Sequence, residues 1–442
     1  MVKDLTKGSL LKNIIRFSLP FLLSYFLQTL YGLADLFIIG QYNGSEVISA
    51  VSIGSQVTHM VTVIVVGLAM GSLVMIGRFV GAGKQRDISK TIGNTVTVFA
   101  VFGTILTIVL WCLTSFLVGV MSTPSESVLQ TTQYLRICFA GIPFIVAYNV
   151  ISSIFRGMGD SKSPMYFIAI ACAVNILLDY IFIGYFDMQA SGAAMGTILA
   201  QAFSVFISLA VIVKRKIITI RKSDLRLDPL FVRNLFQIGL PVALQDGFIQ
   251  MSFMVITVIA NRRGVEVAAA VGIVEKIISF LFLIPSSMMS TISAIASQSI
   301  GADRKDLARK VMFLGMKISL SIGVMFVVLL QFFAGNAVAV FTTENEVIRL
   351  GAQYLKSYSY DLAVASVHFC FSGFFVACGY SYISFFHNLL SILLLRIPLA
   401  FLASVYFPEN LFPMGLASPA GGLLQITICV VAYNLLRKRE RI

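Results

Sequence analysis

The sequence predicts an all-α polytopic membrane protein whose twelve transmembrane helices form two pseudo-symmetric six-helix bundles. Bulk apolarity, evenly punctuated apolar runs and an internal repeat carry that prediction. The 442 residues are 58% hydrophobic and 12% charged, with a mean hydropathy of +0.90. Soluble domains carry about 25% charged residues, so this chain lacks the means to cover a water-facing surface. A bilayer-spanning helix needs about 20 mostly apolar residues, and the chain has room for a dozen.

Apolar runs between charged or Gly/Pro-rich punctuation fall at 14–39, 47–76, 91–119, 127–156, 164–186 and 190–213. A second set follows at 234–260, 266–297, 310–341, 347–377, 383–405 and 414–436. Lys and Arg concentrate on the cytoplasmic side of a membrane. With the N-terminus inside, 26 of the 33 basic residues fall in alternate, cytoplasmic segments: Lys3–Arg16, Arg78–Lys90, Arg156/Lys162, Lys214–Arg233, Arg304–Lys317 and Arg437–Arg441. This predicts a multi-pass protein of the cell (cytoplasmic or inner) membrane with both termini cytoplasmic. It also accounts for the net charge of +13 without nucleic acid as a partner.

A shift of 220 residues superimposes the halves. Gly44–Val51 (GSEVISAV) matches Gly264–Val271 (GVEVAAAV), Gly81-Ala82 and Lys90 match Gly301-Ala302 and Lys310, and Gln133–Arg136 matches Gln353–Lys356. Phe155, Gly159 and Ser161 fall on Phe375, Gly379 and Ser381, and Leu19-Pro20 on Leu240-Pro241 after one residue of gap. Agreement this extended signals duplication. The expected organisation is an N-terminal lobe over 1–213, a solvated or interfacial cytoplasmic linker over 214–233 and a C-terminal lobe over 234–442. Six spans per unit, an even number, imply a pseudo-two-fold axis along the membrane normal, with a substrate path between the lobes.

Several classes are excluded. The six cysteines lie singly in apolar stretches without CxxC spacing, and the three histidines form no HExxH-like cluster, so no metal site or cofactor is indicated. No clustered nucleophile, GxSxG or paired-Asp protease motif marks a membrane-embedded enzyme. The apolar stretch from Ile14 to Gly40 is too long for a signal peptide and reads as the first span.

Polar groups in a bilayer are costly and usually face a bundle interior or cavity. Ser24, Gln28, Tyr31 and Asp35 make one stripe along span 1, Asn175 and Asp179 share a face of span 5, and Thr197 and Gln201 a face of span 6. Asp35 and Asp179 are candidates for a proton or cation site, with a helix–helix hydrogen bond as the structural alternative; two carboxylates sharing a buried site titrate as a unit. In the second half, Asp246, Gln250 and Thr257 share a face of span 7, and Asp361 and His368 a face of span 10. Glu275 and Lys276 read as interfacial, and Arg396 in mid-span 11 as the partner of one of the acids. Gln28, Tyr31, Gln201, Asp246, Gln250, Asp361 and His368 are substrate-cavity candidates. Pro20 and Pro241 occupy equivalent places, where a missing backbone hydrogen bond permits bending. Gly67/Gly71, Gly77/Gly81 and Gly192/Gly196 have the spacing of close helix packing.

Pro20 with the run LYGLAD ending at Asp35, Gly81–Lys84 (GAGK), Arg156–Pro164 (RGMGDSKSP) and Asn175–Gly184 (NILLDYIFIG) together resemble the multidrug and toxic compound extrusion (MATE) family, over almost the whole chain. The resemblance implies a monomeric, cofactor-free, two-lobed antiporter that exports small organic, often cationic and amphipathic compounds against inward H⁺ or Na⁺. The first half is similar to the DinF-like branch, which carries ion-site roles to Asp35, Asp179 and Asn175, accessory roles to Thr197 and Tyr134, and a hinge role to Pro20. Na⁺ would sit at Asp35/Asn175/Asp179. The NorM-like branch uses a Glu in span 7 and an Asp in span 10, where this chain has Gln250 and His368. A flippase for lipid-linked precursors is the alternative, and it predicts more cavity cations than Arg396 and Lys276. A passive channel would not need duplicated, proline-hinged halves.

Overall fold

The structure, a computed structural model, describes residues 3–121, 123–215 and 220–439. Lys216 of the linker and Arg441 of the last basic cluster lie outside the described residues. Among those described the fold is helical throughout, without a strand. The first six spans are α1 (Leu10–Tyr42), α2 (Ser45–Gly81), α3 (Gln85–Val120), the pair α4 (Val128–Ala140) and α5 (Ile142–Gly157), α6 (Lys162–Asp179) and α7 (Gln189–Arg215). The second six are α8 (Pro229–Asn261), the pair α9 (Val265–Leu281) and α10 (Leu283–Gly301), α11 (Lys305–Ala339), α12 (Asn345–Cys378), the pair α13 (Ser381–Ser391) and α14 (Ile397–Tyr406), and short α15 (Phe412–Gly415) leading into α16 (Ala417–Lys438). Eleven of these stretches are long and apolar enough to cross a bilayer, and the α4–α5 pair, bent by 48°, makes the twelfth. Pro143 opens α5 at that bend, where a residue without an amide leaves the ladder.

The helices run several residues past the apolar runs, because charged ends such as Arg78 and Asp87 continue the α2 and α3 backbones. Their outward faces are apolar: Ile105 (56% exposed), Ile108 (58%) and Phe116 (65%) project from α3. Exposed apolar surface on this scale marks a non-aqueous neighbour. The repeat also has a backbone cause. Gly159 and Gly379 adopt φ of +85° and +86°, the left-handed conformation that ends one helix and turns the chain into the next. In the first copy Asp160 then accepts the amides of Lys162 and Ser163 and caps α6.

The residues fall into two compact units, one comprising Met1–Asp4 and Leu19–Gly239, the other Leu5–Ser18 and Leu240–Ile442. These limits differ from those read in the sequence: Leu5–Ser18 pack in the second unit and the described linker with the start of α8 in the first. α1 and α8 are therefore each divided between units, immediately before Pro20 and Pro241.

Within unit 1, α2 is the most buried span, and the start of α8 lies against it backbone to backbone. A Cβ on Gly71 would meet the Leu235 carbonyl oxygen at 2.5 Å, and one on Gly239 would strike the Leu68 backbone. Gly239→Ala is therefore expected to destabilise unit 1 by about 1–3 kcal/mol, read as a lower melting temperature in detergent, whereas Gly32→Ala, with nothing within 4 Å, should have little effect.

The linker is not merely solvated. Residues 221–228 are fastened to the beginning of α3. Asp224, 1% exposed, pairs with Arg86 at 3.1 Å and caps the amide of Arg221 at 2.9 Å. Asn94 donates to the Asp224 carbonyl at 3.1 Å and accepts the Asp228 amide at 2.8 Å; Thr97 donates to the Leu225 carbonyl at 2.8 Å. Gly93 gives the Asp224 backbone room to approach. A buried carboxylate and its strand of polar backbone need such partners, and α3 supplies them. Asp224→Ala is expected to cost about 1–3 kcal/mol and to speed proteolysis between α7 and α8. Asp306→Ala, which removes an exposed i,i+3 pair with Arg309, should change stability by less than about 1 kcal/mol.

Candidate ion site and its counterpart

Unit 1 gathers its polar residues where α1, α6 and α7 meet. The i,i+4 relation of Asn175 and Asp179 puts both on one face of α6, and Asn175 Nδ2 donates to Asp179 Oδ2 at 3.3 Å. From α7, Thr197 Oγ1 donates to Asp35 Oδ2 of α1 at 3.1 Å. Asp179 and Asn175 lie within electrostatic range of Asp35. All four residues are buried, Asp179 completely and Asp35 to 4% exposure. Oδ1 of Asp35, Oδ1 of Asp179 and Oδ1 of Asn175 are buried without a hydrogen-bond partner. The site thus presents oxygen acceptors that no donor of the described chain satisfies, as a proton or a small hard cation would require.

Two features set this geometry that spacing alone did not show. Gly196, one residue before Thr197, lies flat against Asp179, and a Cβ there would collide with the Asp179 carboxylate oxygen. The helical ladder also changes pitch immediately after Asp179, into a π-helical segment over Tyr180–Tyr185. Such segments concentrate at functional sites.

The accessory residues sit around this centre. Tyr134 is buried, packs against Gly54 and stands beside Cys138 within electrostatic reach of Asp35. Gln201 is buried on the same face of α7 as Thr197, and its Oε1 has no hydrogen-bond partner. Ser24 turns back on its own helix and donates to the Pro20 carbonyl at 2.8 Å. Gln28 is half-buried outside this network. Arg156, not singled out as a site residue, lays its guanidinium 3.7 Å from the Phe21 ring centre, next to Pro20.

Unit 2 holds a different arrangement. Asp361 accepts from Ser418 at 2.7 Å. Glu275 lies well within α9, half-buried, and Thr257 of α8 donates to it at 3.1 Å; Lys276 is exposed. Arg396 pairs with neither acid directly. It ends a π-helical turn over Ile392–Arg396, donates to the Tyr358 hydroxyl at 2.7 Å and stacks 4.5 Å from the Phe253 ring centre. His368 belongs to another group: its ring centre lies 6.0 Å from that of His387, which meets Ser372 at 3.0 Å. Asn388 and Gln425 continue that chain at 3.1 Å. Asp246 is half-buried beside Gln245, and Gln250 is half-buried. Scattered single histidines gave no sign that two of them meet.

The family model MatE matches residues 20–181 and again 241–402, together well over half of the chain. The chain belongs to the MatE family. The two matches are offset by 221 residues at both ends, which makes each half of this MatE chain one copy of the family unit. It is 27% identical over 419 residues to the probable multidrug resistance protein YpnP of Bacillus subtilis, covering 93% of each chain. It is 26% identical to the probable multidrug resistance protein NorM of Thermotoga maritima, over 90% of this chain and 87% of that one. Among solved structures, the MATE in the straight conformation superimposes with a TM-score of 0.89 at 22% identity, covering 99% and 97% of the two chains. The outward-facing multidrug resistance MATE transporter of the MOP superfamily gives 0.90 at 22% identity, with the same coverage. These structural likenesses establish the fold alone; the family match and the twelve spans make this a multi-pass membrane protein.

Proposed function

We propose that this MatE protein is a secondary active antiporter of the DinF-like kind. It exports small organic compounds, often cationic and amphipathic, in exchange for H⁺ or Na⁺. The relatives' names, multidrug resistance and multidrug export proteins, support the substrate class. The observation that carries the coupling is the meeting of Asp35 and Asp179 in one buried site. Two carboxylates this close repel one another unless one is protonated or a cation neutralises them, so the site's stability depends on a bound ion.

The ion drives transport only if it binds one conformation more tightly than another. α1 carries Asp35 and is interrupted by Pro20, so charge at Asp35 is linked to a helix that lacks one backbone hydrogen bond in its interior. Binding of H⁺ or Na⁺ at Asp35, Asn175 and Asp179, with Thr197 and Tyr134 around it, changes how α1 packs in unit 1. The substrate leaves by alternating access. The protein acts as a monomer without a cofactor, in the cell membrane, with both termini cytoplasmic. Efflux of a fluorescent organic cation from everted vesicles, under imposed ΔpH or imposed ΔNa⁺, tests this reading. A response to one gradient is expected, and a response to neither would refute it.

A further inference from the structure

Unit 2 gathers the buried Asp361, the half-buried Glu275 and the buried guanidinium of Arg396 in one neighbourhood. Tyr358, which accepts the hydrogen bond of Arg396, stands one turn before Asp361 on α12. Phe253, on which Arg396 stacks, stands one turn before Thr257 on α8, whose hydroxyl holds Glu275. The guanidinium is therefore joined through Tyr358 and Phe253 to the helical turns that carry Asp361 and Thr257, the partner of Glu275, and it lies within electrostatic range of both acids, with Tyr354 and His368 the other titratable groups in that range. Nε of Arg396 and Oε1 of Glu275 are buried and unpartnered. Glycines make the space: a Cβ on Gly422 would lie 3.0 Å from the Asp361 carboxylate, and one on Gly421 would lie 3.6 Å from Cβ of Arg396. Isolated buried charge is expensive in a bilayer, and a guanidinium stays protonated at any working pH.

We propose that Arg396 is a tethered cation that occupies the place of a free coupling ion in unit 2. In electrostatic range of Asp361 and Glu275, it offsets one of the two carboxylates from within the chain. Coupling-ion exchange is thereby confined to unit 1. The inference rests on the reading of Asp35 as the exchanging site, and it makes Arg396 a determinant of ion stoichiometry rather than a substrate ligand. Removing Arg396 leaves two carboxylates with no cation of their own, and the cluster then recruits one from solution.

The test uses thermal unfolding of the purified full chain in NaCl against choline chloride at fixed pH and ionic strength. In an Asp35→Asn background, which silences unit 1, no Na⁺-specific rise in melting temperature is expected. Adding Arg396→Met should create one, and adding Asp361→Asn to that variant should abolish it; Arg396→Lys should behave as arginine does. Absence of a Na⁺-specific rise in Asp35→Asn/Arg396→Met overturns the proposal. So does a rise in Asp35→Asn alone that Asp361→Asn removes. A rise in Asp35→Asn alone that Asp361→Asn leaves intact counts instead against Asp35 as the exchanging site. Should Arg396→Met not fold, the reciprocal pair decides. Glu275→Gln/Asp361→Asn leaves the guanidinium unbalanced and is expected to lower the melting temperature, and adding Arg396→Met should restore it. No restoration refutes the tethered-cation role.

Discussion

Asp35→Asn is expected to reduce gradient-driven efflux to the leak rate while the protein still inserts and folds. The amide keeps the shape of the carboxyl and can still accept from Thr197, which now lies 3.1 Å from Asp35 Oδ2, but it cannot exchange a proton or balance a cation. The driving ion then loses its preference between conformations, and with it the work it performs. A loss of more than about 100-fold in coupled rate corresponds to about 2.7 kcal/mol of state-dependent ion binding. Vesicle efflux under the effective gradient measures the rate, and size-exclusion behaviour with melting temperature measures folding. Efflux at the parental rate would remove Asp35 from the mechanism.

Gly196→Ala should be nearly as damaging, although it adds one methyl group and no charge. That methyl would occupy the position of the Asp179 carboxylate oxygen and lie 3.6 Å from Asn175 Nδ2. Either the carboxylate rotates away from Asp35 or α7 moves off α6, and both break the arrangement of Asp35, Asn175, Asp179 and Thr197. Efflux should fall by at least about tenfold, the equivalent of about 1.4 kcal/mol. The ion concentration needed for half-maximal rate should rise, which distinguishes a displaced ion site from a loss of protein. Gly32→Ala on α1 is the matched control, since nothing lies within 4 Å of its Cβ position.

Apolar run length made the twelve spans legible, because bilayer thickness imposes it directly, and the constant offset made the duplication legible. Within the site, helical spacing revealed Asn175 with Asp179, because neighbours at i,i+4 lie on one face whatever else the chain does. The bond from Thr197 to Asp35 joins residues 162 positions apart, and no local pattern encodes it; the family resemblance supplied that pairing. The cradle at Gly196 looked like helix packing, since a glycine gives no sign of what it makes room for. The two π-helical turns have no composition of their own, and the fastening of residues 221–228 depends on partners in α3 some 130 positions earlier in the chain. Arg396 read as the partner of one of the acids; its direct contacts are an aromatic face and a tyrosine hydroxyl.

The division of α1 and α8 bears on how such a chain is built and how it can be cut. A break at the repeat boundary near residue 214 would not yield two self-sufficient products. The first fragment would lack residues 221–239, which pack in its own unit, and it would carry Leu5–Ser18, which belong in the other. Each copy of the duplicated sequence thus holds a segment on loan to its sibling. Co-expressed fragments should assemble only as a complementing pair, and a single repeat should not persist folded alone.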